Sequence, residues 1–343
     1  MYVYNKGDYN VSFIILTIIY FFINNALLIM ANFIDVSNLT YSGKEAQEIF
    51  AKDIYDIDLR NYGVTYMDGV KGKTKIYSGD MGEAWQEYTC PFSPKGKVSL
   101  AESFIEPKAI KVNQENCYAT FWNTFLVAQT SISLAGGIPQ TFADWYFDRL
   151  RKQMAKEYQE IAWQGDTAHT ATTKTYLKVV DGWEKQLKAG AQKVTGEAFT
   201  VDNIVSQVES LIMKGLEKAS AEDVPTDGYK VFMNYSDVKV LEVALGKLAV
   251  GNLTNQVFGN YSKNADGSIN VYGFQIVPTM MSRNKAVFGP ARNLVLGYDT
   301  FDSHIEYKLI DMRETTLDNT FRVAAISNIA VGVVLPELFT VLG

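Results

Sequence analysis

The chain has 343 residues, 47% of them hydrophobic, and a formal net charge of −6, enough for a substantial core and for two domains. The acidic balance argues against a dedicated nucleic-acid binder. Two histidines and two cysteines are too few for a metal centre or a disulfide framework, although one Cys90–Cys117 bridge stays open.

In chain order, Val11 to Ala31 (VSFIILTIIYFFINNALLIMA) comes first, 21 residues without a charge and long enough to cross a bilayer. Its flank holds only Lys6 and Asp8, weak for a signal peptide, and no small-x-small cleavage site follows. Of the first 29 residues, 22 are Phe, Tyr, Met, Ile, Asn, Lys or Leu, types that AT-rich DNA encodes readily. Met30 then opens MANFIDVSNLTYSG, which reads as an ordinary protein start. Residues 1–30 are therefore an apolar extension with two readings, a misplaced start or a membrane segment.

Residues 31–60 form a polar arm with weak helical spacing through Ala46, Ile49, Phe50 and Ile54. Val64 to Thr89 reads as extended, hairpin-like chain punctuated by Asp68-Gly69, Lys71-Gly72 and Gly79-Asp80. Lys71, Lys73 and Lys75 alternate along this ribbon, and its core residues are too few for a stable isolated hairpin. A solvated surface ribbon is one reading, a ribbon folded onto a neighbouring subunit the other. Pro91 to Val112 continues as irregular or strand-like chain, and Tyr118 to Leu134 reads as a short helix before Gly136-Gly137.

The strongest periodicity lies between Pro139 and Asp166. Phe142, Tyr146, Leu150, Met154, Tyr158 and Ile161 recur every three or four residues, with Arg149, Lys152, Lys156, Glu157 and Glu160 opposite. The spacing predicts a helix over 141–164, capped by Thr141 with Asp144 and stopped at Gly165, about 36 Å long at about 1.5 Å per residue. Strand and helix fragments follow around Gly182-Trp183. Thr200 caps a predicted helix to about Ala219, Tyr229 to Met233 is a strand, and Ser236 caps a further helix. Val271 to Thr279 alternates as one strand, and Ile305 to Ile310, Phe321 to Ile326 and Ile329 to Leu335 are β-rich. The order is α+β, without an alternating βαβ run.

Catalytic signatures are missing from the chain. The glycine pairs match neither a phosphate-binding loop nor a dinucleotide fingerprint, and no serine sits in a nucleophile elbow. Cys117 has no basic neighbour in sequence to lower its pKa. The densest polar cluster, Asp311, Arg313, Glu314, Asp318 and Arg322, has no spacing that chemistry demands and reads best as ion pairs around a loop between strands. No catalytic, cofactor or metal residue is expected.

The order of arm, lysine-bearing ribbon, long helix, α/β middle and late strands resembles the major capsid proteins of tailed bacteriophages, which have the Hong Kong-97 fold. Three passages carry the likeness. They are the helix ending Trp163-Gln164-Gly165-Asp166, the strand-to-helix step at Met233-Asn234, and the closing run from Asp311 through Phe321-Arg322 to Val334-Leu335-Pro336-Glu337. The resemblance covers about residues 31–343, and the apolar extension departs from it. It implies an N-terminal arm at 31–60, an extended loop at 61–117 and a peripheral domain at 118–199 containing the spine helix 141–164. An axial domain at 200–290 and C-terminal strands at 291–343 complete it.

On this resemblance the protein is a structural shell subunit that self-assembles as hexamers and pentamers around double-stranded DNA, in a virion put together in the bacterial cytoplasm. Scaffold, portal and decoration proteins would be its further partners. The candidate contacts between subunits are Lys71, Lys73, Lys75 and Trp85 of the ribbon. Some members cross-link through a lysine and an asparagine, but no asparagine or assisting acid matches here. An encapsulin-type compartment, or an anchored or exported surface protein if residues 1–30 are real, are the alternatives.

Overall fold

The computed structural model describes residues 58–88, 90, 93–117, 140–251, 261–263, 268–298, 305–314 and 316–343. The apolar extension, nearly all of the arm and the helix expected at 118–134 lie outside these residues. No helix among the described residues is long and apolar enough to cross a membrane. The elements are β1 (Thr65–Met67), β2 (Thr74–Met81), β3 (Val98–Ile105), β4 (Lys108–Cys117), α1 (Gln140–Gln164), α2 (Trp183–Gly190), β5 (Gln192–Val194), α3 (Ile204–Ala221) and β6 (Tyr229–Asn234). They continue with α4 (Tyr235–Gly251), β7 (Tyr261–Lys263), β8 (Ile269–Val271), β9 (Phe274–Thr279), β10 (Ala286–Pro290), β11 (Leu294–Gly297), β12 (Ile305–Asp311), β13 (Thr320–Val333) and β14 (Thr340–Leu342).

The chain divides into two compact units, and the division falls inside β4, α1, β12 and β13. One takes the described residues of Val112–Ala143 and Tyr307–Ala324; the other takes those of Lys52–Lys111, Asp144–Glu306 and Ala325–Gly343.

The larger unit is built on a sheet with strand order β5-β14-β10-β6-β9-β8-β7 among the described residues. Successive side chains on a strand point to opposite faces, so each interior strand feeds two cores. Val231, Met233, Ile276, Ala286, Phe288 and Leu342 pack on one side with Ile204, Val208, Leu211 and Ile212 of α3 and Leu241 of α4. Phe232, Val277 and Val287 turn to the other side, against Ile161, Trp163, Trp183, Leu187 and Phe339. Two glycines permit the closest approaches. A Cβ at Gly215 of α3 would stand 2.2 Å from Phe288 Cδ1, and one at Gly289 would stand 2.3 Å from Phe339 Cδ1.

The last turns of α1 enter this core. Gln159, Glu160, Ile161, Ala162 and Trp163 are all buried, so Glu160, which the periodicity puts opposite the apolar stripe, is inside as well. Its carboxylate is compensated by the Tyr176 hydroxyl and by Lys174 Nζ at 3.0 Å, and burial followed by that hydrogen bond pushes the Tyr176 phenol upward. The helix starts at Gln140, which puts Thr141 inside the first turn instead of at the cap.

At the other end, α1 stops before Gly165, as expected from the sequence. A Cβ on Gly165 would meet the Val180 carbonyl oxygen at 2.3 Å, and one on Gly182 would meet the Gly165 nitrogen at 2.6 Å. Gly182 N–H donates to Gly165 O at 2.8 Å, so two backbones touch where no side chain fits. Asp166 then accepts from Ala168 N–H and Lys185 Nζ, while Asp181 accepts from Lys185 Nζ and from the Thr167 amide and hydroxyl. Lys185 and the Ala168 amide hold the Asp166 carboxyl below its ordinary value. Burial raises Asp181, but Lys185 and Thr167 outweigh it and the net direction is down; Lys185 itself is held up by both carboxylates.

Three local expectations change. Asn234, not Ser236, caps α4, its Oδ1 accepting from the Ser236 amide at 2.9 Å. Val271 to Thr279 is not one strand but the end of a hairpin, because Tyr272 (φ 51°) and Gly273 (φ 84°) form a two-residue turn between β8 and β9. The two β-rich stretches at 321–326 and 329–335 merge into the single strand β13. Its residues 330–333 pair with β11, which pairs in parallel with β1.

Candidate intersubunit surface

The ribbon is a two-stranded antiparallel sheet of β2 and β3, paired from Thr74↔Ile105 to Met81↔Val98. The partner of β2 thus lies beyond Pro91 and Pro94, and the hairpin is longer than the Gly-Asp punctuation at 79–80 suggests. Its root is fixed in the fold. Ile105 is buried with Val70, Val295 and Ala330, and Ile76 packs against them. The tip is tied by Gly82 N–H to Lys97 O, Gln86 Nε2 to Ser93 O, and Lys95 Nζ to both the Trp85 carbonyl and Glu83.

Strand alternation separates two faces. Thr74, Ile76 and Ser78 of β2 and Ser103 of β3 are half-buried. The opposite face carries Tyr77 (60% exposed), Leu100 (70%), Phe104 (47%) and Val98, all in water. Leu100 lies over Gly79, where an added Cβ would come within 3.1 Å of its Cδ2. The more apolar face is the solvent-exposed one, the reverse of what burial within a monomer produces. Beyond it, Trp85 is 92% exposed and Tyr88 is similarly open at the tip.

The four residues expected from the sequence separate in role. Lys75 stands opposite Phe104 in the register, bonds Glu102 Oε2 at 2.8 Å, and lies 5.7 Å from the Phe104 ring centroid. Lys73 Nζ sits over the same ring at 4.4 Å. Lys71 is exposed and has interactions of its own. Trp85 lies at the tip, apart from this cluster in the sequence. Sequence reasoning missed Val98, Leu100 and Phe104, although the alternation in Val98-Ser99-Leu100-Ala101-Glu102-Ser103-Phe104 was legible as a strand.

The polar cluster at 311–322 forms ion pairs. Arg313 grips Asp311 with Nη2 at 2.6 Å, and Arg322 Nε bonds Glu115 Oε2 of β4 at 3.0 Å. Both cysteines are free thiols, so no bridge joins them. No group of His, Cys, Asp or Glu among the described residues is arranged to hold a metal ion.

No family model matches the chain, and no curated protein matches it. Solved structures do. The capsid of Myoviridae phage XM1 superposes with a TM-score of 0.54 at 11% identity, covering 91% of this chain and 99% of that one. A chain of Gordonia phage Cozz gives 0.52 at 12% identity, covering 86% and 89%. The capsid of cyanophage P-SCSP1u gives 0.51 at 14% identity, covering 90% and 94%. The chain therefore has the Hong Kong-97-like fold found in tailed-phage capsids.

Proposed function

We propose that this chain is the major capsid subunit of a tailed phage or prophage, a structural protein that assembles with copies of itself into an icosahedral shell around double-stranded DNA. The fold supports the reading, and the exposed apolar face of the ribbon carries it. Transfer of a large apolar side chain out of water contributes about 1.5–3 kcal/mol, and a face of four such residues meets that gain only on a partner. Closed rings of identical subunits repeat the contact many times over.

On this reading residues 31–60 are the arm, 61–117 the extended loop, 118–199 the peripheral domain and 200–290 the axial domain, with 291–343 supplying the closing strands. Scaffold, portal and decoration proteins are its further partners, and the DNA is held without sequence-specific contacts. Assembly takes place in the host cytoplasm.

The test removes the outer ribbon and keeps its root. Ser78 and Ala101 are paired, so replacing residues 79–100 by an Asn-Gly turn preserves the register and leaves Val70 and Ile105 in the core. The expected product is a folded subunit that forms no shells by electron microscopy. Normal shells from this variant would refute the proposal.

A further inference from the structure

We infer that Lys73 and Lys75 are positioning residues that hold the Phe104 ring as the anchor by which the ribbon binds a second copy of this chain. The inference rests on the shell reading and adds a role within it. Lys73 Nζ lies 4.4 Å from the Phe104 centroid and Lys75 Nζ 5.7 Å, both within the range at which an ammonium is attracted to a ring face. Lys75 is itself held at 2.8 Å by Glu102, the residue opposite Tyr77. Two cations and one carboxylate therefore fix an aromatic ring that stays 47% exposed.

An aromatic ring biased toward one position before its partner arrives loses less freedom on binding, which is the property of an interface anchor. Tyr77, Leu100 and Val98 on the same face extend the apolar centre, and the lysines with Glu102 form a charged border, the arrangement of a protein interface. The occupant is a second copy, as the shell reading requires, because the solved structures that share this fold are capsids. The charges bordering the face are of both signs, Glu102 beside Lys75 and Glu106 with its carboxyl lowered by Lys108 and by Lys73. The lysines are here engaged with a ring of their own chain, instead of projecting as free amines toward the neighbour.

Two measurements test the role. In the unassembled subunit carrying ¹³C-labelled lysine, the Lys73 ε-CH₂ protons are expected upfield, and F104L returns them to the ordinary position; an unshifted resonance in the wild type overturns the brace. In assembly, K73M is expected to raise the subunit concentration needed for shells by about two- to fivefold, K73R to restore it, and K73M to add nothing in an F104A background. A K73M effect that persists in full beside F104A, or K73R behaving as K73M, would show a direct lysine contact with the partner and overturn the inference. Failure of the wild type to form shells at any concentration would sink the shell reading while leaving the spectroscopic result standing.

Discussion

Gly215 and Gly246 both lie inside helices, one buried and one exposed, and should respond oppositely to the same change. An alanine in a helix interior is favoured over glycine by about 1 kcal/mol. At Gly246 of α4 nothing lies within 4 Å of an added Cβ, so G246A should raise the urea midpoint, by about 0.4–1 kcal/mol in stability. At Gly215 the Cβ would stand 2.2 Å from a buried phenylalanine, and G215A should cost about 1–3 kcal/mol despite the better helix former. Titration provides a second residue-scale expectation. Asp166 and Asp181 are held below the ordinary carboxylate value, so their contribution is complete above about pH 4 and fades as acid takes them through their lowered native values. Lys185 is raised, so its contribution holds below about pH 10 and is lost as pH climbs through its native value. The gap in urea midpoint between wild type and K185M should therefore be flat from about pH 5 to 9 and narrow below about pH 4.

At the scale of elements, periodicity read α1 well because one stripe of the helix is apolar over most of its length. It misjudged Glu160 because the final turns are buried on every side, where a charged residue survives only through its partners Lys174 and Tyr176. The Trp163-Gln164-Gly165-Asp166 ending was legible as a stop, but its reason, backbone contact with Gly182, involves a residue that local sequence does not bring near. The ribbon was half legible. Its lysines and sparse core were plain, but the pairing of β2 with β3 bridges sixteen residues of tip, and the ties among the described ones join Gly82 to Lys97, Gln86 to Ser93, and Lys95 to Trp85 and Glu83. Among the described residues, that tip should be the first place trypsin cuts in the free subunit, at Lys95 or Lys97, both exposed. In assembled shells the same sites should be protected, as fragment masses would reveal; equal cutting in both states would remove the ribbon from the interface.

For the whole molecule, length suggests two domains without showing how the chain would weave between them. Each unit is assembled from separated stretches of chain, and the division falls within continuous strands and a helix instead of at linkers. Low-complexity or Pro/Gly-rich joints, the usual marks of a boundary, are therefore missing at β12 and β13. The reading of the polar cluster at 311–322 as ion pairs was legible because its spacing matches no catalytic arrangement, and in the fold Asp311 pairs with Arg313 and Arg322 with Glu115. The apolar face that carries the functional reading was not legible from composition, since 47% hydrophobic content fits a buried core equally well.

Residues 340–342 form an interior strand, seated between β5 and β10. During synthesis, β5 has no sheet neighbour until those residues leave the ribosome, whereas the exposed apolar side of the hairpin at 74–105 emerges some 240 residues sooner. At about 5–20 residues per second, that is an interval of about 10–50 s in which a nascent chain carries this apolar surface before it can complete its own sheet. On the proposed shell reading, timing as well as geometry would then govern whether copies meet as finished tiles or as half-made ones.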